Sequence, residues 1–467
     1  MVVCVGAATS DGNSRPAARM MNVAARRTLA LVAVVEALEG TAVVLVVAGL
    51  PDPPQPVSTS AASTASIPAR LMPASIRRTA SSSSVPIALL TTFLAGYRLP
   101  LYRRLAERHE VEVLCYGRGD RYVPAWFSDL DRQLAEADFP ARRLNDLPEA
   151  LSVGRRYDAV IAPFAGGAFL PAAYAGARRW RRPFVLWASV WVQPRSAVHA
   201  VALPVTRHIY RHADAVVAYG EHVRRFVAGI RGHDDDVFVA PQAVEPELFA
   251  RQVSPDEVSA FRAAHQLGGG PLVLYTGRLV TEKGIEVLSA AWPEVEAPAT
   301  LVVVGDGPLS PLVASLDRTR LLGPLPRREL PVAYRAATMA LLPSVPTSRF
   351  TEPWGLVCNE AMHQGRPVVA SAAVGAVAGG LVHHEADGLV VAPGDPAGLA
   401  RAINRLLRDD ALCRRLGSAA RTAVADYTYE AMADGFARAL EVAMGPASPR
   451  ARASAIKPSP TGPPEIR

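Results

Sequence analysis

The sequence predicts an α/β fold: two doubly wound parallel-sheet domains facing each other across a cleft. Three observations lead there. Short apolar runs alternate with amphipathic helical stretches, the pattern of a parallel sheet covered on both faces. The alternation stops at "RQVSPDEVSAFRAAHQLGGGP" and then begins again. The chain has 467 residues, half of them hydrophobic, which suffices for two ordinary domains with separate cores.

Residues 1–84 read as an extension distinct from the rest of the chain. Its apolar segment, 29–50, lies in "ARRTLALVAVVEALEGTAVVLVVAGL" and is long enough to span a membrane. Glu36 and Glu39 interrupt it, and a carboxylate at mid-membrane costs about 2.5–3.5 kcal/mol. A membrane segment, a secretory signal and a poorly defined extension therefore all stay open. "PDPPQPVSTSAASTASIPAR" through "TASSSSVP" is rich in Ser, Pro and Ala and reads as a disordered linker.

The first domain is expected over 85–267. Its candidate strands are "VPIALLTTF", "VEVLCY", "DAVIAPF", "FVLWAS" and "DAVVAY", with helical patterns such as "RLPLYRRLAERH" and "VTRHIYRHA" between them. "LGGGP" is the flexible joint, near residue 268. The second domain, 268–425, carries the strands "PLVLYTGRL", "ATLVVVGDG", "MALLPS", "RPVVAS" and "GLVVAP", and helices near 284–292, 328–337, 355–364 and 396–408. A helix is expected over 426–445, and 446–467 reads as a disordered tail. Two such sheets leave a cleft at the carboxyl ends of their strands, where ligands of wound sheets bind.

The net charge of +7 comes from arginines scattered along helices. Solvated helix faces account for them, and so does attraction to anionic substrates or an anionic membrane surface. No interleaved aromatic and basic motif suits base reading, so nucleic acid is not an expected partner. Cys4, Cys115, Cys358 and Cys413 lie too far apart in sequence for a disulfide framework or a zinc motif, and a reducing cytoplasm is expected. His208 and His212 stand at metal-ligand spacing but lack a third ligand, so no metal site is assigned.

Three loops at strand ends in the second domain carry chemistry. "YTGRLVTEKG" offers Arg278 and Lys283, a planar fork and a compact charge suited to a diphosphate. In "TEPWGLVCNEAM", Gly355 allows a turn, after which the amides of Leu356 and Val357 open a helix as an anion site. Glu352 lies just outside that helix, where a sugar on the diphosphate would project. Glu360 lies inside it, where a carboxylate can take hydrogen bonds from a ribose diol. Simple support of the helix dipole for Glu352, and a solvent-facing position for Glu360, are the competing readings. In "LLGPLPRREL", Gly323 and Leu325 come after a strand and offer backbone groups to a flat base.

"YTGRLVTEKG", "VVVGDGP", "LLGPLPRRELPVAYRAATMALLPS", "EPWGLVCNEAMHQGRPVVAS" and "EADGLVVAPGDPAGLARAINRLL" occur in one order. Together they resemble the donor half of a family 4 retaining glycosyltransferase of the GT-B fold, with two Rossmann-like domains, over nearly all of 270–425. The resemblance implies that Arg278, Lys283, Gly355, Leu356 and Val357 hold a donor diphosphate. It gives Glu360 to the ribose, the backbone at Leu325 to the base, and Glu352 to the transferred sugar and reacting centre as catalytic residue. It also implies a nucleotide-diphosphate sugar as donor, a hydroxyl acceptor, no cofactor and no metal, with the last helix crossing back onto the first domain. A cytoplasmic location is the matching expectation, with membrane contact at the inner face left open.

The resemblance is looser over 85–260. "TTFLAGYRLPLYRRLAER" is similar to the family's first strand, loop and helix, which brings Gly96 to the donor phosphate. Where the family often carries a His-Asp pair, this chain has "FVLWASVWVQPRS", so no histidine role is assigned. Trp187 and Trp191 are candidates for either a sugar-accepting cleft or the core. A nucleotide-sugar epimerase of the same fold and a non-catalytic nucleotide-sugar-binding protein are the alternative functions.

Overall fold

The computed structural model describes residues 31–36, 42–47, 86–117, 130–164, 167–195, 197–296 and 298–445. The linker, the C-terminal tail and most of the N-terminal extension expected from sequence lie outside them. Within the apolar segment, Leu31–Glu36 (β1) and Ala42–Val47 (β2) pair antiparallel, from Leu31 opposite Val47 to Glu36 opposite Ala42. These Val-rich runs have the β-branched composition of strands. Among the described residues no helix is long and apolar enough to cross a membrane.

From Pro86 the chain builds two wound lobes. The first sheet comprises Ile87–Thr91 (β3), Val111–Cys115 (β4), Ala141–Arg143 (β5), Ala159–Pro163 (β6), Phe184–Ala188 (β7), Ala215–Ala218 (β8) and Val237–Val239 (β9). All are parallel, in the order β5-β4-β3-β6-β7-β8-β9. The second comprises Leu272–Thr276 (β10), Thr300–Val304 (β11), Thr319–Gly323 (β12), Met339–Leu342 (β13), Val368–Ser371 (β14) and Gly388–Val391 (β15). It too is parallel, in the order β12-β11-β10-β13-β14-β15. The central strands are apolar throughout because helices cover both faces of each sheet. The expected fold class is the one the chain adopts.

The short edge strand β5, "ARR", has no apolar run to announce it, and its pairing with β4 comes from tertiary packing. Segment 244–267, read with the first domain, contributes Val244, Phe249, Val253, Phe261 and Leu267 to a core shared with β10 and β13. Ser254 and Glu257 cap its helix, Pro255–Ala264, reciprocally. The last helix, Tyr429–Met444, sets Tyr429, Met432, Phe436 and Leu440 into the core beneath β3, β4 and β7. Cys115, Cys358 and Cys413 are buried free thiols.

Candidate active site

In the second sheet the strand order reverses between β10 and β13, and ligands of wound sheets bind outside such a switch point. The loops after these two neighbouring strands carry the residues singled out from sequence. After β10 the chain passes Gly277 and Arg278 and makes a tight turn at Thr281–Lys283. Gly284 closes that turn at φ +73°, and a Cβ there would stand 2.0 Å from the Pro343 carbonyl oxygen just past β13. The Val345 amide donates to the Glu282 carbonyl at 3.1 Å, which fastens one loop to the other.

This fastening brings Lys283 to Glu352. The Lys283 ammonium donates to Glu352 Oε2, and the Ser344 hydroxyl donates to the same oxygen at 3.2 Å. Glu352 is only 6% exposed, so its charge is balanced locally rather than by water. An ammonium has three N–H donors, and Lys283 spends one on Glu352.

Gly355 comes next at φ +95°, a left-handed conformation in which a Cβ would sit 2.5 Å from Leu342 Cδ2. From it starts the helix Leu356–His363, whose opening amides have no intrahelical acceptor. Glu360 lies one turn further in. Its carboxylate accepts from the Tyr334 hydroxyl at 2.6 Å, and that hydroxyl stands 2.7 Å from Thr276 Oγ1 at the end of β10. Burial pushes the Glu360 carboxyl up to about 7, with the Tyr334 bond and the Arg327 charge opposing. The solvent-facing reading of Glu360 is thereby replaced by a half-buried, hydrogen-bonded carboxyl.

The remaining predicted residues lie around this centre. Arg278 extends its guanidinium to Glu282 at 3.3 Å and remains largely exposed, and its carbonyl accepts from the Tyr275 hydroxyl at 2.8 Å. Leu325 is half-buried against the second lobe's core, just beyond β12. Gly96 opens the turn before the first helix of the first lobe, and a Cβ on it would lie 3.8 Å from Arg327 Nη1. Trp187 is a core residue packed edge-on to Phe436, whereas the Trp191 indole donates to the Glu352 carbonyl at 3.1 Å. His208 and His212 lie with tilted rings whose centres are 4.4 Å apart, and no group of three His, Cys, Asp or Glu among the described residues is placed to hold a metal ion.

Sequence reasoning passed over Tyr334, Arg327, Asn359 and His222. Tyr334 occupies an apolar helix stripe and Asn359 a buried helix position, so neither carries a local signal. Arg327 forms an ion pair at 2.7 Å with Glu245, 82 residues away, and His222 meets the Pro353 carbonyl at 3.0 Å, a contact that depends on the lobes being together.

The profile of the family described as glycosyl transferases group 1 matches residues 270–409. D-inositol 3-phosphate glycosyltransferase of Frankia alni is 32% identical over 305 residues, covering 59% of this chain and 72% of that protein. The chain belongs to the group 1 glycosyltransferases. The 2-deoxystreptamine glucosyltransferase of Streptomyces kanamyceticus is 33% identical over 239 residues, 47% of this glycosyltransferase and 59% of its relative. Among solved structures, Anabaena HepE in complex with UDP-glucose superposes with a TM-score of 0.63 at 20% identity, covering 76% of this chain and 99% of that one. The GT-B arrangement of the two lobes is thus shared with glycosyltransferases of low sequence identity.

Proposed function

We propose that this glycosyltransferase moves a sugar from a nucleoside-diphosphate sugar to a hydroxyl acceptor with retention of anomeric configuration and without a metal. The observation that carries the reading is the Lys283–Glu352 pair beside the helix start at Gly355, at the sheet's switch point. Two ammonium N–H groups of Lys283, the amides of Leu356 and Val357, and the exposed Arg278 supply fixed positive potential for a departing diphosphate. Glu360, held by Tyr334, suits a ribose diol, and the backbone at Leu325 the base. Gly96, facing across the cleft, suits the same phosphates.

In the front-face route this favours, the acceptor oxygen bonds to the anomeric carbon on the side from which the phosphate oxygen leaves. The acceptor proton passes to that departing oxygen, and Glu352 steadies the charge developing on the sugar. The polyol acceptors in the relatives' names support an acceptor hydroxyl in envelope, glycolipid, polysaccharide or secondary-metabolite glycosylation. Exposed Arg207 and Arg211 on the helix Ala197–His212 support contact with an anionic membrane at the cytoplasmic face. Flotation with anionic vesicles tests that contact.

The test of the main reading is a panel of nucleoside-diphosphate sugars with polyol acceptors, read by released nucleoside diphosphate and by NMR of the product's anomeric centre. Transfer with retention in EDTA, lost in Glu352→Gln, is expected. An epimerised donor with no glycoside, or a fully active Glu352→Gln, overturns it.

A further inference from the structure

The loop that carries Glu352 is held from two sides. Its own lobe supplies the Gly375 amide to the Glu352 carbonyl at 3.1 Å. Further holds come from the first lobe. The Trp191 indole N–H, in the segment after β7, donates to the Glu352 carbonyl at 3.1 Å. His222, in the first turn of the helix Glu221–Arg231, meets the next carbonyl, that of Pro353, through Nε2 at 3.0 Å. A carbonyl only accepts, so Nε2 carries the proton and Nδ1 is the bare nitrogen. Nδ1 is buried and unpartnered, with Gly220 and Gly379 packed closely around it. One turn on, Arg225 Nη2 donates to the Ala378 carbonyl at 2.9 Å.

The rings pack against one another as well as donate, Trp191 edge-on to His222. His222 lies between the Trp191 ring, with centres 5.3 Å apart, and the Trp354 ring, 5.9 Å away. It is 4% exposed, although its backbone belongs to one lobe and its partner atom to the other. Two separate first-lobe segments therefore converge on consecutive peptide carbonyls of the second lobe, and those peptides bear the carboxylate paired with Lys283. A rotation of either peptide would swing the Glu352 side chain away from Lys283 and Ser344.

We propose that Trp191 and His222 are positioning residues for Glu352: the acceptor-side lobe clamps the peptides on which that carboxylate rides, so its aim is set where the lobes meet. This rests on Glu352 acting at the reacting centre. On the proposed reading Arg278, Glu360 and the backbone at Leu325 also hold the donor and are untouched by Trp191 and His222, so the clamp governs turnover more than donor affinity.

The experiment measures steady-state transfer and nucleoside-diphosphate binding for Trp191→Phe, His222→Leu, His222→Gln and Glu352→Gln in the full chain. Trp191→Phe keeps the ring and loses only the N–H, so it tests the hydrogen bond in a folded protein. Expected is a 10- to 100-fold loss of kcat in Trp191→Phe and His222→Leu, the usual scale of a misplaced catalytic group, with donor KM within about threefold of wild type. His222→Gln, whose amide N–H replaces Nε2–H, should recover most of that loss. A kcat within threefold of wild type in Trp191→Phe and His222→Leu, with Glu352→Gln inactive, overturns the clamp and leaves the reading of Glu352 standing. Equal loss in His222→Gln and His222→Leu, with nucleoside-diphosphate binding intact, also overturns it. An active Glu352→Gln removes the underlying reading instead.

Discussion

Replacing Lys283 by methionine keeps the side-chain stem and removes the ammonium, which isolates the charge that meets Glu352. Removing one member of a buried pair costs about 3–5 kcal/mol, because the remaining charge is stranded. Here the side chains of Lys283 and Glu352 are 16% and 8% exposed, and Ser344 still donates to the carboxylate. The expected cost is thus at the lower end, about 3 kcal/mol. For a lobe of this size each kcal/mol lowers the melting point by about 2–4 °C, giving a drop of roughly 6–12 °C. The double variant Lys283→Met with Glu352→Gln strands no charge, and its neutral amide still accepts from Ser344. It should melt above the sum of the two single effects, with a coupling of about 1–2 kcal/mol. Thermal melts of the four proteins at pH 7 measure this cycle. Transfer by Lys283→Met should fall about 10²–10³-fold in kcat/KM, the usual effect of losing one preorganised donor to a developing anion. Additive melting shifts together with transfer within tenfold of wild type would refute the reasoning at both levels.

Gly355→Ala forces a Cβ into a left-handed position 2.5 Å from Leu342 Cδ2, and should cost at least about 1–2 kcal/mol and depress nucleoside-diphosphate affinity, measured by melting and calorimetry. Burial raises the Glu360 carboxyl from 4.5 to about 7, so between those values the folded chain holds a proton that the unfolded chain has released. Glu360 thus makes stability decline as pH rises from about 4.5 to 7, and Glu360→Gln should flatten that part of the melting-point profile. His222 has the opposite sign. Burial lowers it from 6.5 to about 4, so the stability of its neutral form is present above 6.5 and is lost as pH falls toward 4; His222→Gln should remove that acid-side loss. Asn359, fully buried, donates to the Gln242 carbonyl at 2.9 Å and accepts from the Trp354 indole at 2.8 Å. Asn359→Leu leaves both groups unpaired at about 1–3 kcal/mol each, a loss that a melting curve will register.

The sequence by itself determined the two wound domains, because a strand buried on both faces must be apolar throughout and its covering helices must be amphipathic. It also marked the second lobe's candidate loops, since Gly355, Glu352, Glu360, Lys283 and Arg278 lie in short segments whose order and spacing are local properties of the chain. The helix Leu356–His363, expected at 355–364, was legible because a left-handed glycine begins it and a Gly-Arg-Pro run ends it. Only the tertiary structure decided which of these groups meet. Lys283 and Glu352 are 69 residues apart, and their pairing exists because β10 and β13 are neighbours in the sheet. Tyr334 holds Glu360 from a helix with no polar signature, and Trp191 and His222 reach the Glu352 loop from the other lobe. Such partners are chosen by packing at long sequence separation, which hydrophobic periodicity does not encode; it records which face of an element is buried, not what that face meets.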